Sequence, residues 1–109
     1  MKTMRIDDLD WKKSGELIPV VTQEANTQEV LTLAYANKEA LRLTLETGYA
    51  YYYRRSHGKI MKKGETSGNV QKVVRVLTDC DQDAVIYLVE QTGPACHLGE
   101  RTCFHITIN

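Results

Sequence analysis

Residues 70–89 read VQKVVRVLTDCDQDAVIYLV, and this stretch decides the fold. It contains two apolar segments, residues 70–78 and 84–89, which are rich in the β-branched residues that strands favour. We expect each segment to form a strand, the second of them buried, with a short acidic connection between them. Strict alternation in the first strand would place Val73 and Leu77 on the same face.

Five further segments show the patterns of regular structure. They are strands at residues 17–23, 30–36, 49–54 and 104–108, and a helix at 37–47. Turn-forming residues at 24–27 join the first two strands and predict a hairpin. Asn37 is a typical N-cap, Leu41 and Leu45 lie one helical turn apart, and Gly48 is a typical helix stop.

These elements predict one α+β domain over residues 1–109, built from a mostly antiparallel sheet and one main helix. The length leaves no room for a second core. The segment 64–69, GETSGN, predicts a loop.

Composition excludes several classes of function. Fourteen basic and fourteen acidic residues cancel, so no long-range field favours nucleic acid or an anionic membrane. The longest apolar runs are far below the ~20 residues that span a bilayer. The first eleven residues lack the apolar centre of a signal peptide, so we expect a cytoplasmic protein.

Three cysteines, Cys80, Cys96 and Cys103, lie in the last third of the chain. A reducing compartment makes disulfides unfavourable, and three cysteines cannot all pair within one chain. Three thiolates around one zinc ion would leave the fourth position for water, as in catalytic sites. From spacing alone, three buried structural cysteines are an equally good interpretation.

Three carboxylates alternate along the acidic connection at Asp79, Asp81 and Asp83. If this stretch is extended, they share one face and Cys80 points to the other. Hard oxygen ligands of this kind suit Mg²⁺, whereas an isolated acidic pattern is more often a solvated turn. Cys80 would then face away from the three carboxylates. This leaves open an arrangement in which Cys80 meets the other cysteines only across a subunit boundary.

Two histidines lie close to these cysteines in sequence. His97 follows Cys96 directly and is a candidate general acid or base, since an unperturbed imidazole titrates near pH 6.5. It would otherwise be an ordinary loop histidine, or a fourth zinc ligand that makes the site structural. His105 alternates within the last predicted strand and is expected to be a packing or surface residue.

A basic segment precedes the predicted loop. Arginines and lysines at positions 54–63 run into GETSGN, where Gly permits close backbone approach and Ser, Thr and Asn can donate to phosphate oxygens. The pattern is not a Walker A loop. By chemistry alone, a charged hairpin with a polar turn is the favoured interpretation.

The motifs together resemble the phosphoribosyl-AMP cyclohydrolases of histidine biosynthesis. The blocks that carry the resemblance are DCDQDA at 79–84, ACHLG at 95–99 with CF at 103–104, KGETSGNVQ at 63–71, and LAYANKEAL at 33–41 with Thr47-Gly48. They extend over nearly the whole chain.

The resemblance implies hydrolytic opening of the adenine ring of phosphoribosyl-AMP at its N1–C6 bond, by an intertwined homodimer. Zn²⁺ would be shared between subunits, with Cys80 from one and Cys96 and Cys103 from the other. Asp79, Asp81 and Asp83 would bind Mg²⁺. The candidate substrate-binding residues are Arg55, Ser56, Lys63, Glu65, Ser67 and Asn69.

The chain departs from the family pattern at two places. It reads Arg54-Arg55-Ser56-His57 where the family usually has Ser-Arg-Ser-Arg, and Met61 where the family usually has Trp. Two other functions stay open. One is hydrolysis of a different purine nucleotide, and the other is a non-catalytic binding module stabilised by zinc, with His97 closing the coordination sphere.

Overall fold

The computed structural model describes residues 3–13 and 15–109. Within them lie one short 3₁₀ turn, one α-helix and six strands. The elements are the 3₁₀ turn Ile6–Asp8, β1 Ile18–Glu24, β2 Val30–Ala36, α1 Lys38–Thr47, β3 Tyr51–Arg54, β4 Lys59–Lys62, β5 Gln71–Thr78 and β6 Val85–Gln91. In this part of the chain, no helix has the length and apolar character needed to cross a bilayer.

The strands form a four-stranded sheet in the order β2-β1-β6-β5 and a separate β3-β4 hairpin. The β1–β2, β5–β6 and β3–β4 pairs are antiparallel, and β1–β6 is parallel. The predicted α+β class with a mostly antiparallel sheet is therefore confirmed. The parallel pair arises because the long connection from β1 to β6 carries the helix and the hairpin.

The helix begins and ends as its sequence predicts. The Asn37 side chain accepts a hydrogen bond from the Ala40 amide at 2.8 Å, and Gly48 ends the helix with a φ of 79°. Ala40, Leu41 and Thr44 are buried. Leu45, although one turn from Leu41, remains half exposed.

The core lies on one face of the four-stranded sheet. Alternate residues of β1 and β6 are buried there, together with residues of the helix and of the N-terminal segment, including Trp11. The face also includes polar side chains, since Thr22 and Glu24 are buried at the end of β1. Buried polar groups need hydrogen-bond partners, and these two have them.

The expected facing of β5 is wrong because a β-bulge interrupts its pairing. The register with β6 shifts between Val73 and Arg75. Val73 and Val76 therefore both pack against the core, and Val74 is half exposed. A bulge adds one residue to one strand and inverts the facing beyond it, so Val73 and Leu77 do not share a face.

The strand predicted at 104–108 is not formed within this chain, and one strand was not predicted. Residues 104–109 have no regular structure, and Phe104, Ile106 and Ile108 are largely exposed. Alternation specifies which side chains share a face, but a strand also needs a neighbouring backbone to bond. The strand β4 was missed because its sequence, KIMK, is short and half charged.

The predicted loop 64–69 is confirmed, and Gly64 fixes its shape. Gly64 has a φ of 78°, and a Cβ there would lie 2.3 Å from the backbone carbon of Asn69. Gly68, in the same loop, has a φ of 80° but open space around it. The two glycines therefore separate the effect of left-handed backbone from the effect of close packing.

We expect Gly64→Ala to lower the free energy of unfolding by about 3 kcal/mol or more, because it adds a clash with backbone to the strain of a left-handed φ. Gly68→Ala adds the strain alone and should cost about 1 kcal/mol. Chemical denaturation of both variants measures the difference. Equal costs would show that the close approach at Gly64 is not retained in solution.

Candidate functional site

A pocket of about 460 Å³ opens between the β3–β4 hairpin, the loop 64–69 and the segment that follows β6. Its walls combine basic, hydroxyl and amide groups with Cys96 and His97. The lining residues are Tyr52, Arg54, Met61, Lys62, Lys63, Gly64, Glu65, Thr66, Ser67, Asn69, Pro94, Ala95, Cys96, His97 and Gly99. Two segments that are separate in sequence, one basic and one with cysteines, thus form one concave surface.

Two contacts hold the pocket walls in place. The Lys63 ammonium donates to the carbonyl of Asn69 at 3.1 Å, closing the base of the loop. The Asn69 side-chain oxygen occupies the space beside Gly93, where a Cβ would lie 2.3 Å away. The loop 64–69 and the segment after β6 are therefore packed directly against each other.

Burial of Lys63 lowers its pKa from the ordinary value, because desolvation disfavours the charged ammonium. The nearby Cys103 acts in the opposite direction. Tyr52, also close to Cys103, is buried, and this burial raises the pKa of its hydroxyl well above the usual range. The tyrosine therefore stays neutral and acts as a hydrogen-bonding group.

Four of the six predicted substrate-binding residues line this pocket, namely Lys63, Glu65, Ser67 and Asn69. Arg55 and Ser56 do not. The Arg55 guanidinium lies over the Tyr35 ring at 3.9 Å, and the Ser56 hydroxyl lies 3.0 Å from a ring nitrogen of His57. Both belong to the exposed turn of the β3–β4 hairpin.

The segment that carries Cys96 and Cys103 folds back on itself. The Cys96 amide bonds to the Glu100 carbonyl at 3.1 Å, and the Cys103 amide bonds to the Leu31 carbonyl at 2.8 Å. Cys96 is 8% exposed, and its sulfur accepts a hydrogen bond from the Leu98 amide at 3.4 Å. Cys103 is exposed.

His105 lies unexpectedly close to this site. Its Nε2 atom is 3.7 Å from the sulfur of Cys96. The sequence suggested a packing or surface role, and the residue is indeed exposed, but it also meets a predicted metal ligand. No sequence signal distinguished it, because the contact depends on how the segment 95–105 folds back.

The acidic connection between β5 and β6 is a turn and not the extended stretch considered above. Gln82 has a φ of 57°, and Asp79 Oδ1 accepts from the amides of Asp83 and Ala84. The turn nevertheless brings together ligand oxygens of Asp79, Asp81 and Asp83, which lie within 4.8 Å of one another. In the ranges 3–13 and 15–109, they are the one group of three or more possible metal ligands of this kind.

Lys13 gives the acidic turn a counter-charge. Its ammonium lies 2.7 Å from Asp83 and 3.7 Å from Asp81. The hydrogen bond from Lys13 is the main cause of a lowered pKa at Asp83, with a contribution from Asp79. The Asp83 carboxylate is therefore held ionised at neutral pH.

Cys80 does not join the other two cysteines within this chain. It precedes β6, whereas Cys96 and Cys103 follow it, and seven extended residues span roughly 20 Å. Cys80 is exposed on the acidic turn, with its sulfur 3.8 Å from Asp81. The chain thus carries two separate groups of possible metal ligands, one at each end of β6.

Comparison with known proteins shows the family of the chain. Residues 32–105 match the model of the phosphoribosyl-AMP cyclohydrolase family. The chain is 57% identical over 101 residues to the phosphoribosyl-AMP cyclohydrolase of Cenarchaeum symbiosum, covering 93% of this chain and 94% of that protein. It is 59% identical over 98 residues to the enzyme of that name from Archaeoglobus fulgidus, covering 90% of each.

A relative with two activities in its name also matches. The chain is 63% identical over 89 residues to the histidine biosynthesis bifunctional protein HisIE of Aquifex aeolicus, covering 81% of this chain and 43% of that protein. Together with the family match over most of the chain, these identities settle the relationship. The chain belongs to the phosphoribosyl-AMP cyclohydrolase family.

Proposed function

We propose that this chain is the phosphoribosyl-AMP cyclohydrolase of a histidine pathway, and that it opens the adenine ring by hydrolysis of the N1–C6 bond. The observation that carries the proposal is the pocket in which Cys96 and His97 face the loop 64–69. The names of the relatives agree with this activity. The reaction adds the oxygen of water to C6, breaks the N1–C6 bond and places a proton on N1.

The pocket suits a phosphorylated nucleotide. Arg54, Lys62 and Lys63 supply positive charge, while Ser67 and Asn69 supply hydrogen bonds that can orient phosphate and sugar oxygens. Met61 provides an apolar wall on which a purine can pack, although without the aromatic stacking of an indole. Met61 and Arg54 both depart from the family pattern and both line the pocket, so both bear on substrate affinity.

We infer that Cys80, Cys96 and Cys103 hold one Zn²⁺. This ion joins Cys80 of one chain to Cys96 and Cys103 of another chain. Thiolates are the ligands that zinc favours, and Cys96 and Cys103 both follow the same end of β6. Cys80 lies at the other end, roughly 20 Å away, so a second chain has to supply it. When bound, zinc supplies Lewis acidity and a water that ionises near neutral pH.

The exposed C-terminal segment supports a homodimer. Phe104, Ile106 and Ile108 have exposed fractions of 60, 76 and 102%, and they immediately follow Cys103. Several large apolar side chains exposed within one short segment are typical of a protein–protein contact. A second copy that brought its Cys80 to Cys103 would lie beside this segment and cover it.

The acidic turn is the proposed Mg²⁺ site. Three carboxylates with oxygens within 4.8 Å of one another fit a small cation with oxygen ligands. In the dimer this turn, which includes Cys80, would lie at the partner's pocket and bring Mg²⁺ near the substrate phosphate.

His97, exposed on the wall of that pocket, would take a proton from the attacking water and return it to N1.

The direct test of the proposed function is turnover of phosphoribosyl-AMP by the purified protein. We expect activity that dipicolinate or another zinc chelator removes and added Zn²⁺ restores. Cys96→Ala should lose zinc and at least a thousandfold in turnover together, because both depend on the same thiolate. Metal content by mass spectrometry and the rate of ring opening are the measurements.

The matched control is Asp81→Asn, which removes one charge from the proposed Mg²⁺ site. This variant should keep its zinc but need more Mg²⁺ for half-maximal turnover. Turnover of AMP with phosphoribosyl-AMP untouched would contradict the substrate assignment. Full activity in the Cys96→Ala variant would contradict the zinc assignment.

A mixing experiment tests whether zinc is shared. Cys80→Ala and Cys96→Ala chains should each be inactive as homodimers. After subunit exchange, each heterodimer has one site with all three thiolates and one without, so activity should return to about a quarter of the wild-type level in an equal mixture. No recovery, with exchange proven by labelled chains, would place all three thiolates within one chain.

A further inference from the structure

A chain of hydrogen bonds begins in the core and ends at the surface, on the segment that carries Cys96 and Cys103. The Tyr52 hydroxyl donates to Gln71 at 2.6 Å, and the Gln71 amide donates to Gln91 at 2.9 Å. The Gln91 amide then donates to the backbone carbonyl of Arg101 at 3.0 Å. Nothing in the proposed reaction uses these groups.

Glu24 adds a second connection to the same place. This residue is 4% exposed, and its carboxylate accepts from the Gln91 backbone amide at 3.2 Å and from the Arg101 guanidinium at 3.0 Å. Arg101 also donates to Glu29 at 2.8 Å through its Nε atom. One arginine therefore binds a buried carboxylate and a surface carboxylate through two different nitrogens.

Arg101 is well placed to control both cysteines. Its carbonyl accepts from the Ala95 amide at 3.1 Å, next to Cys96, and Arg101 is itself two residues from Cys103. Arg101 thus holds the start of the folded-back segment, at Ala95, against its end, next to Cys103. A buried carboxylate that lost its partner would be costly, so the ion pair resists separation.

We propose that Glu24, Gln91 and Arg101 are positioning residues that set the spacing of Cys96 and Cys103. They act through the backbone of residues 95–103 and touch neither metal nor substrate. Stability alone does not account for this ion pair, because burial of the Glu24 carboxylate carries a desolvation cost that the half-exposed Arg101 offsets only in part. The part of the proposal that concerns zinc affinity rests on the proposed function, whereas the ordering of the segment does not.

The first test is hydrogen exchange in the metal-free protein. Glu24→Gln keeps the shape and removes the charge, and Arg101→Lys keeps the charge but cannot reach both carboxylates. Each should speed exchange of the Ala95 and Cys96 amides at least tenfold, with the amides of β1 and those of β6 before Gln91 unchanged. Glu39→Gln, on an exposed ion pair of α1, is the matched control and should change neither.

The second test is binding of Co²⁺, which reports the thiolate site by its charge-transfer absorption. We expect Glu24→Gln and Arg101→Lys to weaken Co²⁺ binding by 10- to 100-fold, the usual effect of removing support from metal ligands. Unchanged affinity together with unchanged exchange at residues 95–103 would overturn the positioning role. Absence of Co²⁺–thiolate absorption in the wild type would contradict the zinc site instead, and the exchange result would then decide the positioning role alone.

Discussion

The position of β6 in the sheet is the constraint on which the rest of the structure depends. It pairs in parallel with β1 and antiparallel with β5, and Val85, Tyr87 and Val89 on its inner face are buried. A strand bonded on both sides must stay extended, so the segments before and after it are held roughly 20 Å apart. The acidic turn and the folded-back cysteine segment are therefore rigidly separated, and each presents only part of the proposed metal chemistry.

Local signals predicted most of the fold, and long-range pairing explains the remainder. The helix bounds followed from Asn37 and Gly48, because caps are determined by neighbours in sequence. The bulge in β5 and the missing strand at 104–108 depend on which backbone lies alongside, and alternation carries no such information. The strand β4 formed because β3 provides a partner, in spite of its charged composition.

The sequence predicted the residue types of the candidate site better than it predicted their positions relative to one another. The carboxylates of Asp79, Asp81 and Asp83 do converge, but through a turn in which alternation has no meaning. The loop 64–69 was recognisable by its glycines, whereas its packing against Gly93 and the approach of His105 to Cys96 required the fold. The roles of Glu24 and Arg101 were equally hidden, since the residues are 77 positions apart.

The central claim is that Cys80 at one end of β6 and Cys96 and Cys103 at the other end bind one zinc ion, which their separation within a chain allows only between two chains. X-ray absorption at the zinc edge of the metal-loaded protein tests it most directly, because it counts sulfur ligands near the ~2.3 Å expected for Zn–S bonds. The account predicts three sulfurs in the wild-type dimer and two in Cys80→Ala. A count that Cys80→Ala leaves unchanged, or a zinc shell of oxygen and nitrogen alone, would contradict it.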